Sequence, residues 1–564
     1  MMLPYLDEVA KSRDYQIEFK GLNRNLYVGE NQFADTKNLC ATHYPVMAPR
    51  AARARVRTFS NLQGLYAKNR LCWVDDGYFY WDGVQYGGRL TDGRKQMVGM
   101  GAYVLIFPDG MRFNTHTKEW DALGSAWTAE GAVKASMCRL DGSDYDNVTV
   151  SETAPEGLAN GAFWLDTSGD KDVLKLLSGG AWVSVPTVYV RIEAAGIGTA
   201  FREGDAVNIE GIEGVNGSYS ILGRTEDSIT ITEVLRRNVT QTGGLTVSRT
   251  IPEMDFVCEL NNRIWGCSNA KHEIYACKLG DATNWFAFDG LASDSYAATV
   301  GSDGDFTGCC AFGGQVLFWK EDMLHKVMGT KPSNFQINDT PMQGVQAGSE
   351  KSICIVNSSL MYKSRESVCI YDGGTAMDIS DALGPEMYED AAAGVQGSRY
   401  YISMRGEDGK YSLFTFDEEK GLWYREDETQ ATAFAAHRGQ LYYADEQGDL
   451  YAVRGTQEPE AELEGPFEWY AETGDLMMEL PDNKYVSRIQ IRAGVEKGSR
   501  LRVEARYDSE GEWITLLDRG YSRKASFTAP IIPMRCDHFR LRISGVGRSC
   551  VYALSKEIEA GSEL

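Results

Sequence analysis

The chain has 564 residues, too long for one hydrophobic core, so two to four domains are expected. Its 80 acidic residues outnumber 57 basic ones, a net charge of −23, which disfavours static binding to nucleic acid, where affinity comes from neutralising phosphates. Mean hydropathy is −0.34, and no run approaches the roughly 18–20 apolar residues of a spanning helix.

The opening residues Met1–Glu8 lack a basic stretch followed by an apolar core, so no signal peptide is expected and the chain is read as made in a cytoplasm. Residues 1–57 read as an N-terminal arm with one strand near Ile17 and Phe19. They end in a basic cluster, Arg50, Arg53, Arg55 and Arg57, that on so acidic a chain points to pairing between subunits. From residue 58 a different grammar sets in. Short aromatic or β-branched runs alternate with Gly, Asp or Asn turns, as in 70–83 and in 103–121 (YVLIFPDGMRFNTHTKEWD), with Asp109-Gly110 as the turn. Similar units recur at 263–275, 315–327, 360–373, 400–424 and 440–451. Their spacing is commonly about 35–50 residues, the range of propeller blades, and stacking around an axis buries faces that one hairpin cannot bury alone. The pattern predicts an all-β fold in which 58–130 and 251–455 form a discontinuous β-propeller. A stack of two β-sandwiches is the competing architecture.

Between 131 and 250 the pattern changes. A hairpin-like module with Trp164 and Trp182 precedes short glycine-punctuated strands, which read as a small β-barrel inserted between blades. The acidic stretch 455–465 reads as a linker. Beyond it, 466–564 alternate apolar and polar residues, as expected of a C-terminal β-sandwich. The alternation places Arg500, Arg502 and Arg506 on one side of their strand, and Arg540 with Arg542 on one side of theirs. Arg500, Arg502, Arg540 and Arg542 are therefore further candidate subunit-interface residues.

Catalytic and metal signatures are sparse. The twelve cysteines include no C-x₂-C pair and there are six histidines, so reduced, buried thiols are expected and no metal or cofactor is assigned. No nucleophile elbow, P-loop or H-E-x-x-H occurs. Asp75 with Asp76, and Asp303 with Asp305, read as turn formers rather than a glycosidase pair. Asp141–Asp146 lacks the glycine and distal glutamate of an EF-hand loop. No catalytic residue is named and the chain is read as a non-enzyme. A Ser-His-Asp triad has no local signature in the sequence.

Two groups of residues carry a resemblance. F-x-G-L-N-x-N at Phe19–Asn25, E-N-x-F-x-D-x-x-N-L at Glu30–Leu39, Tyr44-Pro45-Val46 and Pro49-Arg50 form the first. Trp469–Leu476, Tyr485–Arg492 and Cys536–Arg542 form the second. Together they resemble a family of virion tail or "stabilisation" proteins from phages and prophages of Gram-positive bacteria. The resemblance implies a structural tail protein, a propeller ring (nozzle or hub) around the DNA channel. It would be assembled in the host cytoplasm, with itself as partner, six-fold by expectation, along with other tail or connector proteins and DNA only in transit. A closing set of heterologous contacts gives such a ring. The alternative is a receptor- or glycan-binding protein at the tail tip, for which the twelve tryptophans and 29 tyrosines would supply stacking surfaces. A propeller glycoside hydrolase is the third reading.

Overall fold

Six four-stranded sheets that take their strands in chain order, together with a seventh, five-stranded sheet, account for most of the described chain between residues 54 and 463. The computed structural model describes residues 11–456, 460–479 and 483–560, so Met1–Glu8 lies outside the described residues. Apart from five single turns of 3-10 helix, the regular structure described is β.

The sheets span 62–86, 96–122, 256–299, 308–341, 354–378 and 388–427. The last combines Ala431–His437, Gln440–Asp445 and Asp449–Ala452 with Ala54–Thr58. They are the blades of a β-propeller. The final blade borrows its outer strand from the start of the chain, through the antiparallel register Asp449↔Thr58 and Ala452↔Ala54. Turn chemistry sets these hairpins: Asp76, Asp82 and Asn357 adopt the left-handed conformation that Asp and Asn tolerate best among side-chain-bearing residues.

The chain divides into two compact units. The first comprises 1–94, 318–324 and 339–564, and the second 95–317 and 325–338. The sheet at 308–341 contributes residues to both. In the first unit, stacked or tilted aromatic pairs fill the blades: Trp73 on Tyr80 at 5.7 Å, Phe416 on Trp423 at 4.9 Å and Tyr443 on Tyr451 at 5.3 Å. In the second, Val98, Leu105, Ile264, Tyr275 and Trp285 share one buried cluster, and Trp265 meets Phe335 edge-on at 5.0 Å.

The inserted segment is not a closed barrel. It is two sheets, Ser125–Thr128/Thr246–Arg249/Ala206–Glu210/Gly217–Ser220 and a five-stranded sheet around Ala132–Cys138 and Tyr189–Glu193. Both line one core containing Val133, Ile192, Val207, Ile209 and Val247, and no ladder between them is found among the described residues. A third, small sheet at 148–184 packs Leu165 and Leu174 onto the same core.

Residues 466–560 form a sandwich of two five-stranded sheets around Ile489, Ile491, Leu501, Val503, Leu541, Ile543 and Val551. The expected separate N-terminal arm is corrected here. Lys11–Gln16 pairs with Ser549–Ala560 in one sheet, where Asp14 meets the buried Lys556, and Phe33–Lys37 pairs with Glu468–Thr473 in the other, where Phe33 enters the sandwich core. The expected linker also carries structure: Glu462–Leu463 adds to Ala54–Arg55 as a further strand, while 457–459 lie outside the described residues.

Candidate functional site

The eight arginines named from sequence fall in two places in the first unit. Arg50 and Arg53 flank the start of the borrowed strand, and both are buried, at 6 % and 5 % exposure. Arg53 donates to Asp427 Oδ2 and Glu426 Oε2, each at 2.7 Å, and to the Tyr443 hydroxyl at 3.1 Å. Arg50 forks onto the two Glu464 oxygens at 2.7 and 2.9 Å, donates to Asn38 at 2.8 Å, and lies 4.2 Å from the Phe467 ring centroid. Burial alone would raise the Asp427 carboxyl, but the Arg53 and Arg50 cations outweigh it and hold that group at about 2. The expected subunit-pairing role of Arg50 and Arg53 is therefore corrected. Their charges are spent inside the chain, locking the borrowed strand to the sixth and seventh blades.

Arg55 pairs with Glu462 at 2.5 Å and with Asp449 at 3.6 Å, still on that strand. Arg57 differs. It stacks 4.8 Å above Trp73, and no described residue supplies it a carboxylate. It opens into a cleft of about 450 Å³ between the seventh and first blades, lined also by Arg70, Asp82, Arg438 and Tyr442. Only Asp82, 3.6 Å from Arg70, offsets the three arginines there, so this cleft is an electropositive notch on an acidic protein. Arg70 opens the strand Arg70–Asp75 and Arg438 sits in the turn of a separate hairpin, and sequence offered no sign that they converge.

The second group lies on one face of a sandwich sheet, in the alternation expected. Arg500 and Arg502 share Asp518, at 2.5 and 3.4 Å. Arg540 reaches Asp475 at 2.5 Å and Arg542 reaches Glu472 at 2.8 Å. Trp513 lies beneath Arg542 and Arg506, at 4.3 and 4.8 Å. The register Arg506↔Arg540 and Glu504↔Arg542 makes this a continuous ladder of guanidinium, carboxylate and indole groups. It remains partly solvated, so each pair contributes little alone.

Sequence reasoning missed one constellation beside that ladder. The Ser509 hydroxyl lies 2.8 Å from His538 Nε2, and His538 Nδ1 lies 3.0 Å from Asp537. Ser509 also donates to Asp475 at 2.9 Å, and the Asp508 carboxylate accepts the Asp537 and His538 N–H groups. The hydroxyl's proton is thus engaged by a carboxylate, and Asp537 is mostly solvated. As it stands the arrangement cross-braces two loops. Asp75 accepts the Asn61 N–H at 2.7 Å and Asp141 accepts the Ser143 N–H and hydroxyl, both as turn formers.

Among the described residues no group of three or more His, Cys, Asp or Glu side chains is arranged to hold a metal, and no helix is long and apolar enough to cross a membrane. No family model matches the chain, and no curated protein matches its sequence. Among solved structures it is similar to Raptor of Chaetomium thermophilum at 11% identity, over 72% of this chain and 30% of that one, with a TM-score of 0.28. It is similar to BamB of Moraxella catarrhalis at 10% identity, over 64% and 94%, with a TM-score of 0.25. It is also similar to an exo-β-1,3-galactanase of Phanerochaete chrysosporium at 8% identity, over 53% and 94%, with a TM-score of 0.21. At these scores the architecture rests on the strand order of the sheets themselves.

Proposed function

We propose that the chain is a structural component of a tailed-bacteriophage virion, a propeller that assembles with copies of itself into a ring of the tail around the DNA channel. The observation that supports this reading is an apolar cluster on a rigid mount. Leu26 is fully exposed and Tyr27 is 75 % exposed. Their loop is nonetheless braced by Arg24 on Glu386 at 2.8 Å and by Asn25 on the Asp381 carbonyl at 2.9 Å. Tyr27 lines a cleft with Met477 beside Ser12–Asp14 of the sandwich's edge strand, and Tyr15 on that strand and Ile17 just past its end are exposed as well. Holding large apolar side chains in water on a stiff loop is costly unless another surface covers them, and a second copy docking head-to-tail closes a ring. The acidic balance fits a channel past which DNA slides without being retained.

The test is assembly. Light scattering with negative-stain imaging of the purified chain should give annular particles, and Leu26→Asp with Tyr27→Asp should reduce them to monomers of unchanged circular dichroism. A wild-type chain that stays monomeric at tens of micromolar, or a double variant that assembles normally, refutes the reading.

A further inference from the structure

The small sheet at 148–184, in the second unit, has two faces of opposite character. One carries Leu165 and Leu174 into the core of the inserted module, so its burial is accounted for. Cross-strand register sets the other: Trp164 opposite Lys175, Leu177 opposite Trp182, and Lys175 opposite Ser184. This face is not needed for the core, yet it bears two tryptophans.

They are not equivalent. Trp164 is buried at 5 % exposure, donates its indole N–H to the Ser151 carbonyl at 3.0 Å, and serves as backing. Trp182 meets it edge-on at 5.4 Å, on the edge strand Ala181–Ser184. It is half-buried and its indole N–H has no acceptor among the described residues. Beside the pair, Lys175 lies 4.7 Å from the Trp164 ring centroid and 2.7 Å from Asp166, whose other oxygen takes the Ser168 N–H and hydroxyl. The turn leading to Trp182, Gly179-Gly180, has φ of 60° and 80°, and a Cβ at either position would meet nothing within 4 Å. No atom crowds the turn on the Cβ side of either glycine.

We infer that this face is a binding site for a neutral saccharide, with Trp182 as the stacking platform and the Lys175–Asp166 pair as hydrogen-bonding partners for ring hydroxyls. An aromatic face offers the apolar C–H side of a sugar a partner, while fixed donors and acceptors at its margin satisfy the hydroxyls. The cation and anion of the pair cancel, which selects against charged sugars and nucleic acid. The site stands whether or not the chain belongs to a virion tail.

The experiment titrates the full chain with N-acetylchitotetraose, cellotetraose and maltotetraose, reading tryptophan fluorescence and calorimetry, and screens it on a panel of neutral glycans. Saturable binding to at least one neutral glycan is expected. Trp182→Ala should weaken it about tenfold or more, Trp182→Tyr should retain most of it, and Lys175→Met should weaken it several-fold with unchanged circular dichroism. No saturable binding across the panel overturns the inference, as does equal binding by Trp182→Ala. Loss of self-association in Trp182→Ala without any sugar binding also overturns it, because the occupant would then be a second copy.

Discussion

Replacing Arg53 with alanine should release the borrowed strand from the last blade. The guanidinium is buried and holds two carboxylates that are themselves buried, Glu426 with its side chain 2 % exposed and Asp427 with its at 17 %. Removing one partner of such a cluster leaves charge uncompensated, at a cost of about 3–5 kcal/mol. The carboxyl side gives an independent figure. Asp427 falls from 3.8 to about 2, which corresponds to roughly 2.5 kcal/mol of stabilisation that is fully present above about pH 4. Because the folded-state value is the lower one, that contribution disappears as pH falls from about 4 to about 2. Urea denaturation at pH 7 should show the larger loss, and wild-type stability should decline across that acid window more steeply than that of Arg53→Ala. Hydrogen exchange should show amides of 54–58 and 449–452 opening first. Adding Glu426→Gln and Asp427→Asn to Arg53→Ala should recover part of the loss, since no buried charge is then left unpaired. A loss under about 1 kcal/mol for Arg53→Ala, or no recovery in the triple variant, refutes the proposed lock.

Lys556 is fully buried, with its ammonium 2.9 Å from both Asp14 and Glu30, so Lys556→Met should free Lys11–Gln16 from the sandwich and make its amides exchange rapidly. A Cβ on Gly198 would lie 1.7 Å from the Thr225 carbonyl oxygen, so Gly198→Ala should disrupt the inserted sheets and expose 131–250 to limited proteolysis. The electropositive cleft between the seventh and first blades should bind pyrophosphate measurably by calorimetry, and Arg57→Glu together with Arg438→Glu should abolish that binding while leaving the melting temperature nearly unchanged.

The blades were legible because each hairpin writes its own rule. Tyr103–Phe107 and Met111–Asn114 are joined by Asp109-Gly110, and both strand and turn are encoded within a dozen residues. The inserted module was legible as short strands but not as two sheets, since barrel closure depends on which edges pair, and glycine-punctuated strands do not specify that. The N-terminal segment was misread for a related reason. Phe33–Lys37 looks like an isolated turn-rich stretch until Glu468–Thr473, more than 430 residues away, provides its ladder. The alternation of Arg500, Arg502, Arg540 and Arg542 along their strands was legible, but sequence cannot distinguish a guanidinium awaiting a partner subunit from one already paired within the chain. Arg53 is the plainest case, because its carboxylates lie more than 370 residues further along. The Ser509–His538 contact was likewise invisible, for it joins two loops through a sheet register.

The strand Ala54–Thr58 leaves the ribosome hundreds of residues before Asp449–Ala452, the neighbour it will join. Throughout synthesis of the intervening blades its hydrogen-bonding edge stays unmatched, as does the flank of the first blade. A nascent chain must therefore shield or park that edge until translation is nearly finished, and any premature stop leaves an open template for aberrant pairing with other polypeptides.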